Sequence, residues 1–160
     1  MSDVPPVVIA SLLTRILREA FEGPPGPWTY FTDTTAAAGV FGTINGLSAA
    51  EASRPAGPAR TTIAGHVHHL CSSLALTTRS MRGGPAGRDR STSWTVTAVD
   101  AAKWTDLQAQ LRREYGALLV TLEMRAAWDE DTMGDAIGAI AHTAYHLGAI
   151  RQRLAVQGAD

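Results

Sequence analysis

Apolar residues recur at three- and four-residue spacing in four long segments of this 160-residue chain, and strand signals are nearly absent. The first segment, about residues 5–22, carries Val8, Leu12, Leu13, Ile16, Leu17, Ala20 and Phe21 at helical spacing. The charges Arg15, Arg18, Glu19 and Glu22 fall mostly between them, as on a solvated face. GPPGP (23–27) ends the segment, because proline removes backbone donors and fixes φ. The second segment, about 61–81, has Thr61 or Thr62 as N-cap and a stripe of Ile63, Val67, Leu70, Leu74 and Met81. The third opens at TAVD (97–100), a Thr-x-x-Asp variant of the capping box. Trp104, Leu107, Leu111, Leu118 and Leu122 then follow to about residue 125. AWDED (127–131) interrupts, and the fourth segment runs from about Thr132 to Leu154.

The connections are unequal. Residues 28–58 are rich in Thr, Gly and Ala, and read as a loop with one or two short helices, best placed around 34–45. ASRPAGP (52–58) is a linker, and RGGPAGRDRS (82–91) is a mobile loop by composition. STSWTV (91–96) has extended character but is too short and isolated to imply a sheet. The expected fold is all-α: a single domain over 1–160, a four-helix bundle with one long crossover connection.

Composition narrows the function classes. Hydrophobic residues at 45% against 18% charged allow a real core. A net charge of −1 gives no electrostatic footprint for nucleic acid. No run of about 18 apolar residues suggests a membrane span. Asp3 precedes the N-terminal apolar stretch, and Arg15 and Arg18 follow it, the reverse of a signal peptide. With one cysteine, Cys71, no internal disulfide can close, so a cytoplasmic location is expected.

All five histidines lie in two segments: His66, His68 and His69 in the second, His142 and His146 in the fourth. At 100° per residue, His142 and His146 stand about 40° apart and share a face. Met133, Ile137, Ile140, Ala144 and Leu147 fall roughly opposite, while Gly138, Ala139, Ala149 and Tyr145 flank the pair. A helix so short of charge reads as surrounded by protein on nearly all sides. Histidines at i and i+4 can bind one metal ion from a single helix, and a third ligand must then come from elsewhere. In the second segment, His69 sits beside the core stripe near Thr62, Gly65, Ser73 and Leu76. His66 is about 60° from it, and His68 points elsewhere. The wheel leaves His69 or His66 as the third ligand. The competing reading is polar core histidines bonded to carbonyls or water.

Two stretches, TTIAGHVHHL (61–70) and AHTAYHLGAIRQ (141–152), resemble the second and fourth helices of the DinB-like superfamily. In that family a ligand His precedes Leu in the second helix, and His-x-x-x-His is followed by Gly-x-Ile-Arg-Gln in the fourth. REAFEGP (18–24), NGLSAAEA (45–52) and Trp94 ahead of Trp104 are also similar. The superfamily comprises metal-binding four-helix bundles, among them thiol-dependent S-transferases and the mycothiol-dependent maleylpyruvate isomerase. The resemblance implies His69, His142 and His146 as ligands of Zn²⁺ or Ni²⁺, with water in the remaining positions and His66 and His68 outside the coordination shell. It further implies a homodimer and a low-molecular-weight thiol, held as thiolate by the metal, attacking a small electrophilic substrate. The alternative within the same family is a non-catalytic, metal-stabilised dimer that binds a small molecule or serves a stress response.

Other residues take subsidiary places. Tyr145, beside the histidine face, is a candidate proton donor; Asp135, two turns before His142, is a candidate orienting group. Arg79, Arg82, Arg88 and Arg90 surround a loop that could receive an anionic cosubstrate. Cys71 reads as core packing, so no protein nucleophile is expected. Arg151 and Gln152 belong to the fourth-helix pattern and can be purely structural.

Overall fold

The computed structural model describes residues 4–56, 60–85 and 93–158. The described residues form six helices: α1 (Pro6–Glu22), α2 (Val40–Ile44), α3 (Ala49–Ala52), α4 (Ile63–Met81), α5 (Ala101–Glu123) and α6 (Glu130–Gln157). Among them there is no strand, and extended backbone pairs only at a single bridge between Ala56 and Thr61. The fold is therefore all-α. Each of the long helices α1 and α4 packs against both α5 and α6. The short α2 and α3 lie in the long connection between α1 and α4. The loop expected over 82–91 falls largely outside the described residues.

Local chemistry sets the helix boundaries. Pro6 occupies the first turn of α1, where its missing N–H costs nothing. At the other end Gly23 takes φ 96°, a left-handed region that favours glycine. The α4 cap is Thr62, whose side chain accepts from the Gly65 N–H at 3.0 Å. For α5 the cap is Asp100, accepting from Lys103 N–H at 2.8 Å, and not Thr97. Asp100 has the extended backbone of an N-cap residue, φ −86° and ψ 177°, and the helix begins directly after it. Asp129 and Thr132 form a capping box that starts α6 at Glu130, inside the stretch expected to interrupt it.

The core is a continuous cluster centred on Leu17, Phe21, Leu70, Leu111, Leu118 and Ile150. The α4 stripe of Ile63, Val67, Leu70, Leu74 and Met81 is buried as its periodicity requires. Two expectations for α1 do not hold. Val8 and Leu12 are exposed, so the buried stripe begins later, at Ala10 and Leu13. Glu19, expected on the solvated face, is only 2% exposed. Its carboxylate accepts from the N–H groups of Tyr30, Phe31 and Thr32 and from the Thr32 hydroxyl, at 2.8–3.0 Å. A buried charge is tolerable when that many donors replace its water. Glu19 thereby pins the start of the α1–α4 connection to α1.

The connection between α1 and α4 is also tied to α6. Arg151 donates to the Ala38 carbonyl at 2.6 Å and pairs with Asp33 at 3.2 Å. Arg153 donates to the Thr61 carbonyl and hydroxyl and to the Ala149 carbonyl. Arg151 of the fourth-helix pattern and Arg153 just beyond it thus both hold the connection that leads into α4.

Candidate metal centre

α4 contributes its histidines from its first two turns, directly after the Thr62 cap, and α6 contributes its pair from mid-helix. The α4–α6 contact brings them face to face. His69, His142 and His146 each offer a ring nitrogen, and these atoms all lie within 4.8 Å of one another. His69 and His146 are buried and His142 is half-buried. His69 Nε2 and His142 Nε2 are 2.9 Å apart. The histidine and helical-wheel reading therefore brings together three residues from two helices, and they are close enough to share one ion.

His66 is also at the cluster, though it is not one of the three. Its Nδ1 is 2.7 Å from His146 Nδ1, with both rings buried. Of the two α4 histidines the wheel left open, His69 joins the pair on α6, while His66 is hydrogen-bonded to it. His68 points away from the cluster: its Nδ1–H donates to the Ser93 carbonyl at 3.1 Å.

That bond anchors a segment whose role periodicity could not foresee. Trp94 follows Ser93 and covers the cluster. Its ring stacks on His69 with centroids 4.4 Å apart and meets His66 edge-on at 5.2 Å. The approach depends on Gly65, where an added Cβ would stand 3.0 Å from the Val96 carbonyl oxygen and 3.9 Å from the Trp94 ring. A larger residue at 65 requires this segment to shift by a few tenths of an ångström.

The electrostatics suit neutral imidazoles. Burial, the nearby Arg153 cation and His69 bring His66 down to about 4. Burial and the neighbouring histidines, His142 first, bring His146 down to about 3. At neutral pH both rings keep a lone pair, which is the form a metal binds. His146 Nε2 is buried and has no hydrogen-bond partner. A buried nitrogen without a partner costs about 1–3 kcal/mol. A coordinated cation removes that cost, so the donor set fits a divalent ion by chemistry as well as by spacing. Three neutral imidazoles leave the ion its charge and leave positions open, the pattern of catalytic zinc.

The fourth-helix reading needs one correction. Ile137, expected on the bulky buried side, is 53% exposed, and Gly134, Gly138, Ala141, Tyr145 and Gly148 are exposed with it. The buried face is Ala136, Ala139, Ile140, Thr143, His146, Leu147 and Ile150. The histidines therefore belong to the same broad buried face as the aliphatic residues, and the helix is not enclosed all round. Tyr145 is 69% exposed, and its ring meets the His146 ring edge-on at 5.0 Å.

Of the arginines expected around the 82–91 loop, the two described ones, Arg79 and Arg82, do not lie at the cluster. Arg79 lies in the last turn of α4 and Arg82 caps its C-terminus. Arg79 is roughly 15 Å beyond His69 at 1.5 Å per residue. Arg82 bonds the Thr121 hydroxyl and the Ala117 carbonyl on α5. Arg88 and Arg90 lie outside the described residues. Cys71 is fully buried against the α5 backbone, and burial pushes its thiol up to about 12. It packs the core, as its position on the wheel implied.

No family model, curated protein or solved structure matches the chain. The reading of the site rests on its own geometry. No helix of the described residues is long and apolar enough to cross a membrane.

Proposed function

We propose that the chain is a DinB-like four-helix bundle with one long crossover, in which His69, His142 and His146 hold one Zn²⁺ or Ni²⁺ ion. We further propose that it is a metal-dependent enzyme, transferring a low-molecular-weight thiol to a small electrophile or isomerising such a substrate. The observation that carries this reading is the convergence of three ring nitrogens within 4.8 Å from two helices. An ion bound there supplies a Lewis acid and a holder of thiolate. The chain's own part is to present neutral imidazoles, to cover His69 with Trp94, and to hold the ligands through the α4–α6 contact.

A second reading has its own support: a non-catalytic protein in which the ion stabilises the fold. Trp94 lies across the cluster. Two clefts of about 540 and 600 Å³ lie elsewhere, one between the ends of α4 and α5 and the other along α1. The two readings separate in one assay. Thiol consumption with an electrophile panel, lost on chelation while helicity persists, supports the enzyme. Metal-loaded protein that turns over no member of the panel supports the stabilising role.

The exposed α6 face of Ile137, Gly138, Ala141, Tyr145 and Gly148 supports a homodimer packed through that helix. Light scattering of the purified chain showing monomer only rejects it.

A further inference from the structure

The four clustered histidines form two rungs between α4 and α6. His69 faces His142 through the two Nε2 atoms at 2.9 Å, and His66 faces His146 through the two Nδ1 atoms at 2.7 Å. The rungs differ in which nitrogens they use. In the first, the two Nε2 atoms meet; one of them carries a proton without an ion, and a shared ion would displace that proton. In the second, His146 spends Nδ1 on His66 and keeps Nε2 for something else.

Two neutral imidazoles at 2.7 Å cannot both present a lone pair, nor both an N–H. One ring donates and the other accepts, which leaves two arrangements. If His66 donates, His146 carries its proton on Nε2 and that nitrogen cannot ligate; either arrangement leaves one buried Nε2–H without a partner, on His146 here and on His66 in the other. If His146 donates, its Nε2 bears the lone pair. Only the second arrangement makes His146 a ligand alongside His69 and His142.

We infer that His66 is a positioning residue for the metal centre: its Nδ1 accepts the Nδ1–H of His146 and so fixes the tautomer and ring orientation in which His146 Nε2 can ligate. Carboxylates and backbone carbonyls usually serve metal-bound histidines in this way. Here a fourth imidazole does so. The ring of His66 is itself held, with Trp94 edge-on at 5.2 Å and an interplanar angle of 86°. It is only 4% exposed, so water does not compete for Nδ1. The bond to His146 Nδ1 comes from the facing helix.

This inference rests on the proposed metal site, and its test separates the two. Zinc affinity is measured by chelator competition on the full chain, for wild type, His66→Asn and His66→Leu. Asn keeps an acceptor oxygen close to the place of Nδ1, whereas Leu fills the space and accepts nothing. His66→Leu is expected to bind zinc about 10- to 100-fold more weakly, with His66→Asn recovering most of the loss. Long-range ¹H–¹⁵N spectra of the zinc-loaded wild type are expected to show His146 protonated on Nδ1. They decide the matter even if His66→Leu does not fold. Wild type that binds no zinc overturns the metal site and this inference together. Wild type that binds zinc, with His66→Leu equally tight or with His146 protonated on Nε2, overturns the role of His66 alone.

Discussion

Trp94 lies flat on His69, with ring centroids 4.4 Å apart and planes 18° apart. The same indole is 5.8 Å from His146. One side chain from the segment before α5 thus touches histidines from both α4 and α6. It closes the cluster on a side that neither helix covers.

Removing that cover should loosen the ligands before it unfolds the protein. Trp94→Ala is expected to cost about 1–2 kcal/mol of stability, from lost apolar burial and ring stacking. Metal affinity should fall several-fold, while Trp94→Phe retains most of both. Urea unfolding and metal titration of the two variants check this. Unchanged metal affinity in Trp94→Ala would show that the stack is not a support for His69.

Glu19 is the polar group on which the crossover depends. Glu19→Ala leaves the N–H groups of Tyr30, Phe31 and Thr32 without their acceptor and should destabilise by at least about 3 kcal/mol. Burial pushes this carboxyl up, but the Phe31, Tyr30 and Thr32 donors outweigh it and hold it below its ordinary value of 4.5. A depressed carboxylate contributes stability that is full above the unfolded value and is lost as pH falls through the folded one. Wild type should therefore lose stability below pH 4.5, and Glu19→Gln, less stable at neutral pH, should lose less of what it has. Denaturant titrations of both proteins from pH 6 to pH 3 provide the measurement.

The buried imidazoles act in a higher window. His66 and His146 fall from 6.5 in the unfolded chain to about 4 and about 3 in the folded one, chiefly through burial. Between those limits the unfolded chain binds more protons, so stability of the metal-free protein falls as pH drops below 6.5. The slope is at most about 1.4 kcal/mol per pH unit for each imidazole. Bound metal should offset this until acid displaces it. A metal-free melting temperature that is flat from pH 7 to pH 5 would contradict the neutral, buried cluster.

How much of this was legible in the sequence follows from where each interaction lies. Interactions within one helix could be read: the α4 stripe, the Thr62 cap, the shared face of His142 and His146, and Cys71 as packing. The wheel also narrowed the third histidine to two residues on one flank, and both are at the cluster in different places. Interactions across the fold could not be read. Glu19 looks solvated because its partners are backbone N–H groups of a loop, which carry no residue signature. Trp94 reaches the cluster only because Gly65 and the His68–Ser93 bond let its segment lie against α4. On α6, interspersed Ala and Gly flatten the contrast between faces, so periodicity alone does not show that Ile137 is exposed. Thr97 and Asp100 both suit a cap, and only the backbone conformation decides between them.

The central claim is that His69, His142 and His146 bind one divalent ion. Elemental analysis of the full chain purified without chelator tests it most directly, beside His142→Ala. The account predicts about one zinc or nickel ion per chain in wild type and almost none in His142→Ala, with helical content retained in both. Wild type with no stoichiometric divalent metal, or His142→Ala that keeps it, would contradict the account.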